Sequence, residues 1–489
     1  MPELDWLGDA DYEFARAVLQ RGTAAIFLVA FLSAAAQFPA LLGEHGLLPA
    51  PDFLRTARGR RPLTVFRWHY SDRLLRVISW TGAAASAALV AGLPQAGPTW
   101  VPMVLFLLLW LAYLSIVEVG QTFYSFGWET LLLETGFLVA FLGSNENAPP
   151  VTIIWLARWL VFRVEFGAGL IKMRGDRTWR DLTALYYHHE TQPMPNPLSR
   201  RAHLMPKWFH RLEVLGNHVV QLVVPFLLFA PQPVASLAAV LIILTQLWLV
   251  ATGNFAWLNL LTIVLAFAAV SDPVAQLVIP TMPGGSADAG IPLWFGAALI
   301  AVTALLLVLS WWPAKNLVSR RQLMNASFNR WRLVNAYGAF GSVTQQRYEV
   351  IVEGSTAEWP DDSAEWLAYQ FKGKPGDPAR VASQFAPYHL RLDWLMWFLA
   401  LGSPDTRWFS VFLSKLLTAD RATLRLLRFD PFEGRRPRWV RARLFRYRFA
   451  RDEERRVTRL WWIREEVGTL VPPTSLPGNG PSGGRSPRQ

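Results

Sequence analysis

Arg158, Glu165 and Lys172 stand seven residues apart inside one apolar run, WLARWLVFRVEFGAGLIKM. On a helix of about 3.6 residues per turn, that spacing lays the three charges on one stripe, roughly two turns apart. Ionisable side chains at membrane depth are costly and normally face a bundle interior or a wet cavity. Lys172 is therefore the candidate catalytic base, with Glu165 beside it. The plainer reading is a helix-end lysine that carries its ammonium to the interface or pairs with Glu165. Arg158 and Glu165 read as a buried structural pair. Five of the eight histidines follow within a short distance: His188, His189, His203, His210 and His218, in company with Glu190, Gln192 and Asn196. His188 and His189 are adjacent and diverge in a helix or strand. His203 and His210 are separated by Pro206, and no HExxH spacing is present. The expectation is a hydrogen-bonded polar loop, with Asp181 and Glu190 as partners for the imidazoles, and neither metal nor cofactor.

The elements that must position these residues are membrane helices. The chain is 52% apolar and 13% aromatic, and several apolar runs reach the ~20 residues that a span requires. Nine spans are expected, at about 23–42, 74–93, 100–117, 123–142, 151–173, 212–230, 234–251, 255–270 and 293–312. Glu129 and Glu134 in the fourth are about 140° apart around a helix, which is not the geometry of a paired-carboxylate site. Tyr124 and Trp128 in its first turns, and Trp311 and Trp312 at the end of the ninth, read as interfacial anchors. Gly167 and Gly169 read as a site of close helix packing. Pro193, Pro195, Pro197 and Pro206 forbid one helix across the polar segment at 174–211.

The expected organisation is an acidic N-terminus at 1–22, a transmembrane bundle at 23–314, a C-terminal mixed, β-containing soluble domain at 315–470 and a disordered tail at 471–489. In the third of these, RYEVIVEGS and EWLAYQFKG read as strands, and WVRARLFRYRFA as a basic strand or edge. RLDWLMWFLALG and TRWFSVFLSKLLTADRATLRLLR read as amphipathic helices. Arg391, Asp393, Trp394 and Trp397 lie in the first of these helices. They serve either to dock the domain or as an aromatic face that meets a client chain. The net charge of +12 gathers in two internal loops and the C-terminal third. That pattern suits contact with anionic membrane lipids better than nucleic acid. With no cysteine, thiolate catalysis, disulfide exchange and zinc–thiolate sites are excluded. P-loop, dinucleotide and nucleophile-elbow motifs are likewise absent from the sequence.

Several long motifs in order, FYSFGWETLLLETGFL, GLIKMRGDRTWRDLTALYYHHETQPMPNPL, ATGNFAWLNLLTI and VEGS…YQFKGKPG…RLDWLMWF, resemble the lipase maturation factor family. The family tends to have Tyr where His189 stands. The resemblance implies a multi-pass membrane protein that helps secreted lipases fold and assemble, with a lipase client as partner. A shorter stretch, AGLIKMRGDRTW, is similar to the segment of vitamin K-dependent gamma-carboxylase-like membrane proteins that holds a catalytic lysine. It implies that role for Lys172 and an alternative function as an intramembrane enzyme. The Ala/Arg-rich, cysteine-free composition suggests a bacterial plasma membrane. The positive-inside rule assigns both basic loops and the C-terminal domain to the cytoplasm, whereas the family reading requires them on the side where lipases fold.

Overall fold

The computed structural model describes residues 5–56, 62–280, 290–361 and 363–477. Its N-terminal part is a helical bundle. Helix α1 (Glu13–Leu42) is followed by α2 (Asp72–Ala91), α3 (Trp100–Glu118), α4 (Gly127–Val139) and α5 (Val151–Arg174). Ser71 caps α2 by accepting from Leu74 N at 3.1 Å, and Gly92 ends it in the left-handed region at φ +81°. The polar segment contributes α6 (Leu185–Thr191) and leads into α7 (Lys207–Leu222). Its prolines break the chain where expected. The bundle closes with α8 (Val234–Thr252), α9 (Leu258–Ala266) and α10 (Leu293–Val318).

Five of the nine expected spans are helices long and apolar enough to cross a membrane; they contain α1, α2, α3, α8 and α10. The other four are helical too, but differ in kind. Helix α4 has 13 residues and is nearly all buried, so neighbouring helices rather than lipid surround it. Helix α5 has 24 residues and buries Arg158, Arg163, Glu165 and Lys172. Helices α7 and α9 are shorter than a span.

Contacts define two ends of the bundle. At one end Arg16 donates to Asn147 O at 2.5 Å, Asp272 accepts from Glu13 N and Phe14 N at 3.1 Å, and Asn147 Nδ2 donates to Gly290 O at 3.0 Å. At the other end Thr64 donates to Ser115 O, Gln121 to Leu48 O, and Asn254 N to Met194 O. The helical segments run alternately between these ends. The basic loop after α1, the polar segment and the C-terminal domain therefore share one end, opposite the N-terminus. Arg58, Arg60 and Arg61 of that loop lie outside the described residues.

The C-terminal domain is a four-stranded antiparallel sheet in the order β2-β1-β3-β4, with β1 at Arg347–Ser355, β2 at Leu367–Ala368, β3 at Trp439–Phe449 and β4 at Trp462–Thr474. Strand β1 is buried along nearly its whole length and pairs with β3 in a register that sets Ile351 opposite Arg443. The strand expected in EWLAYQFKG is only the two residues of β2. Strand β4 continues past Val471 into the segment whose composition reads as a tail; residues 478–489 of that tail lie outside the described residues. Helices α11 (Arg391–Ala400) and α12 (Arg407–Leu417) complete the domain.

Helix α11 docks this domain onto the bundle. Arg391 Nη1 donates to Glu129 Oε1 at 2.6 Å and to Phe123 O at 2.9 Å, and its guanidinium lies 3.4 Å from the Tyr124 ring. Tyr113 donates to the same carboxylate, and His389 Nδ1 is 3.3 Å from it. Gln37 of α1 donates to His389 O at 2.7 Å and accepts from Arg391 N at 3.0 Å. Glu129, His389 and Arg391 are all fully buried. Tyr124 and Trp128 are buried here also, so they are docking residues rather than interfacial anchors. Trp311 and Trp312 are 64% and 51% exposed at the end of α10, as a belt requires.

Two outcomes follow from this architecture. The chain has no native cysteine, so single introduced cysteines report topology without background. Arg55→Cys, Arg201→Cys and Arg456→Cys are expected to react with an impermeant maleimide from one side, and Trp6→Cys only from the other. Glu129→Gln leaves Arg391 charged and buried without its counter-ion, and is expected to cost about 3–5 kcal/mol. A lowered thermal midpoint in detergent, with faster proteolysis between the two domains, is the readout.

Candidate functional site

The polar segment is held by its own side chains. Gln192 Nε2 donates to His189 O, Ser199 Oγ and Thr252 O at 2.8–3.0 Å. Asn196 Oδ1 accepts from Leu198 N and Ser199 N at 3.0 Å, while its Nδ2 donates to Ala251 O at 2.9 Å. The C-terminal domain clamps the same segment from outside. Arg347 of β1 donates to Glu190 O and Gln192 O, and pairs with Glu349, which Lys374 also approaches at 3.1 Å. Glu190 accepts from Phe449 N at 2.7 Å, and Arg200 pairs with Asp452 at 2.6 Å.

The histidines do not act as one cluster. His188 packs edge-on to Phe340 at 5.1 Å, and burial pushes its pKa down to about 3. His203 Nε2 stands 3.4 Å from Glu190; burial, then the neighbouring imidazoles, pushes its pKa down to about 4. Both rings are neutral near pH 7. His218 Nε2 donates to Trp179 O at 3.0 Å. His189 and His210 converge on Glu213, and the donor atoms of these three residues lie within 4.8 Å of one another. Among the described residues they are the group whose donor atoms are close enough to hold a metal ion. Of the partners expected for the imidazoles, Glu190 is in place. Asp181 is not: it pairs with Arg177 at the surface. Glu213 was legible as an acid three residues after His210, on the same face of one helix.

Beside this layer lies Lys172. Its Nζ donates to Asn217 Oδ1 at 2.9 Å and Gln221 Oε1 at 2.8 Å, and lies 4.7 Å from the Trp179 ring. Glu165 accepts from Gln221 Nε2 at 3.1 Å and Gln246 Nε2 at 2.6 Å. Gln221 thus stands between ammonium and carboxylate, and lysine and glutamate do not touch. The expected Arg158–Glu165 pair is not formed. Arg158 donates to Ala268 O at 2.9 Å and Leu228 O at 3.3 Å, and lies over the rings of Tyr12 and Trp155. Seven residues separate the two along the helix axis by about 10 Å, too far for direct pairing. Arg163 instead pairs with Glu134, whose carboxylate also accepts from Tyr337 at 2.8 Å and Asn335 N at 2.9 Å. Gly169 lets α7 approach: a Cβ there would meet Leu222 Cδ2 at 2.7 Å. A Cβ at Gly167 would meet Tyr337 O at 2.4 Å, so this glycine admits an irregular strap rather than a helix.

The client-binding face expected on α11 is not available. Arg391, Asp393 and Trp394 are 0–3% exposed and Trp397 is half-buried, with its Nε1 donating to Thr191 O at 3.2 Å. Arg391, Trp394 and Trp397 are consumed by docking and Asp393 by a contact within the domain, and Phe398 is the exposed ring of this helix. Asp393 accepts from Gly373 N at 2.6 Å. Burial raises its pKa to about 6, against the lowering effects of that hydrogen bond and of Lys374, Lys372 and Arg380.

A multi-pass helical bundle that clamps a polar loop beneath a docked β-domain defines a class of integral membrane protein. Residues 14–277 match the lipase maturation factor transmembrane domain, and residues 333–472 the lipase maturation factor C-terminal domain. The chain belongs to the lipase maturation factor family. It is 41% identical to lipase maturation factor 1 of Homo sapiens, over 94% of this chain and 88% of the relative, and 40% identical to that of Bos taurus, over 94% and 89%. With human lipase maturation factor 2 the identity is 29%, over 94% and 82%. No solved structure matches it.

Asp393 generates a pH prediction. Its folded pKa exceeds the ordinary carboxylate value of 3.8, so between about pH 4 and 6 the folded state binds more protons than the unfolded state. Stability then falls as pH rises through that window. Asp393→Asn keeps the acceptor for Gly373 and removes the titration. It is expected to stabilise the protein at pH 7.5 by about 1–3 kcal/mol, with the gain vanishing toward pH 4. Denaturation midpoints of both proteins at the two pH values check this.

Proposed function

We propose that this protein is a membrane-embedded maturation factor that assists the folding and assembly of secreted lipases, acting by binding rather than by covalent chemistry. The observation that carries the reading is the match of both domains, in order, across nearly the whole chain and most of the length of relatives named for that activity. The absence of cysteine means that the chain does not itself exchange disulfides with a client. Strand β4 supports a binding mechanism. It is the outer strand of the sheet, 13 residues long and largely exposed. An open edge offers unpaired backbone groups to an incoming strand. Val467 and Leu470 give it apolar contact, while Glu465, Glu466 and the Pro472–Pro473 pair limit the length of pairing. A partly folded lipase with an unpaired strand would dock there until its own sheet closes. The reading places the C-terminal domain on the extracytoplasmic side of a bacterial plasma membrane.

A second reading is an intramembrane enzyme with Lys172 as base and Glu165 nearby. It is favoured by one observation: Lys172 is buried in contact with two neutral amide oxygens rather than a carboxylate.

The deciding experiment measures the activity per mass of secreted lipases in cells that lack the protein and in cells complemented with variants. The wild type is expected to raise specific activity several-fold. Val467→Pro, which removes an edge donor and bends the strand, is expected to abolish the gain, while Lys172→Met at equal abundance retains it. No change on deletion of the protein rules out the lipase reading. Loss with Lys172→Met and retention with Val467→Pro moves the enzyme reading ahead.

A further inference from the structure

Glu213 presents one carboxylate to two imidazole nitrogens. His189 Nε2 lies 3.4 Å from Oε1 and 3.5 Å from Oε2, and His210 Nδ1 lies 3.4 Å from Oε2. An imidazolium bonded directly to a carboxylate closes to about 2.7–2.9 Å. The observed separations fit a different geometry. Two N or O ligands, each about 2.0–2.2 Å from a shared tetrahedral ion, sit about 3.4 Å from each other.

The hydrogen bonding points the same way. His210 Nε2 is 3.2 Å from His203 O. A carbonyl only accepts, so Nε2 carries the hydrogen. On a neutral ring Nδ1 is then a bare lone pair, and it faces a carboxylate oxygen. That arrangement is repulsive unless a cation stands between the two. An N–H donated to a backbone carbonyl is also the outer-shell contact that orients a metal-bound imidazole. Trp248 Nε1 donates to Glu213 Oε1 at 2.5 Å and helps to fix the carboxylate. His189 and His210 are each 2% exposed, and the Glu213 side chain is 13% exposed, so the ligands are fixed by packing.

We propose that His189, His210 and Glu213 form a site for one divalent transition-metal ion, zinc by its chemistry, with a fourth position open to water or a ligand. Two imidazoles and one carboxylate suit zinc. Calcium and magnesium prefer all-oxygen shells and are poorly served. The ion joins α6 to α7 across the proline-broken link between them. The inference goes beyond the lipase reading and does not depend on it.

The test uses the full chain, purified in detergent without a polyhistidine tag, stripped with chelator and titrated with Zn²⁺ alone. The wild type is expected to bind one equivalent, measured by elemental analysis after gel filtration, and to melt several degrees higher with zinc. Co²⁺ in place of Zn²⁺ is expected to give the visible bands of a tetrahedral ion. Glu213→Gln keeps the acceptor for Trp248 and the shape of the side chain, and is expected to weaken binding at least a hundredfold. His210→Ala is expected to lose both the equivalent and the cobalt bands. Should His210→Ala fail to fold, Glu213→Gln carries the test alone. Asp181→Asn, at the surface nearby, is expected to bind as the wild type does. Equal uptake by wild type and Glu213→Gln, or no uptake by the wild type, overturns the proposal and leaves a protonated imidazole shared with Glu213 in its place.

Discussion

A guanidinium and a carboxylate, both fully out of water, hold the two halves of this protein together. Neither Glu129 nor Arg391 can be buried alone, since an unpaired ion in a low-dielectric interior costs several kcal/mol. They come from distant parts of the chain, one opening α4 and the other opening α11. Tyr113 from α3 and Gln37 from α1 contribute hydrogen bonds to the same knot. The bundle therefore cannot settle its own buried carboxylate until the C-terminal domain has docked. The side-chain hydrogen bonds of Arg391 in turn go to residues of the bundle, Phe123, Glu129 and Tyr113. Folding of the halves is coupled, and the polar segment between them is held from both sides.

The same constraint recurs inside the bundle. Arg163 is balanced by Glu134, while Arg158 donates through Nε and Nη1 to two carbonyls that helix ends leave without intrahelical partners. Lys172 and Glu165 are satisfied through Gln221, Asn217 and Gln246. These charges of α5 thus fix several neighbours, with Glu165 and Lys172 sharing Gln221 of α7. Helix α5 acts as the spine that sets α7, α8 and the strap at Asn335–Tyr337 in place. A helix with this many inward charges would be a poor membrane span by itself. It is tolerable because polar side chains of its neighbours replace water around it.

Shared polar contacts also bear on the distribution of positive charge. The arginines of the C-terminal domain sit in a long folded region, and long domains cross a membrane largely regardless of their charge. Several of them are neutralised by contact, Arg441 by Glu353, Arg443 by Glu353 and Glu466 together, and Arg446 by Glu465. They carry little weight in deciding orientation. The loops after α1 and α5 are the segments whose charge counts, and Arg200 of the latter is buried against Ala450 and paired with Asp452. The charge rule is consequently weaker for this chain than its formal +12 suggests.

What the sequence made legible was whatever depends on local pattern. Apolar runs located the helices, β-branched and aromatic runs located β1 and β3, and the prolines after Thr191 marked the break before α7. Lys172 read more plainly as a helix-end lysine, but Arg158 and Glu165 were legible as buried, because the run around them left no other place. Their partners were not, because partner choice depends on which helix end arrives beside each charge. Arg158 meets carbonyls that no side-chain spacing encodes. Strand β4 was hidden by its acidic pair and prolines, which suit an exposed edge and resemble a tail in composition. His210 and Glu213 show where the boundary falls. Three residues apart, they share a helix face by local geometry alone. His189 joins them only because Gln192 and Asn196 fold the intervening chain back on itself, and hydrogen bonds to backbone carbonyls leave no periodic trace in the residue pattern.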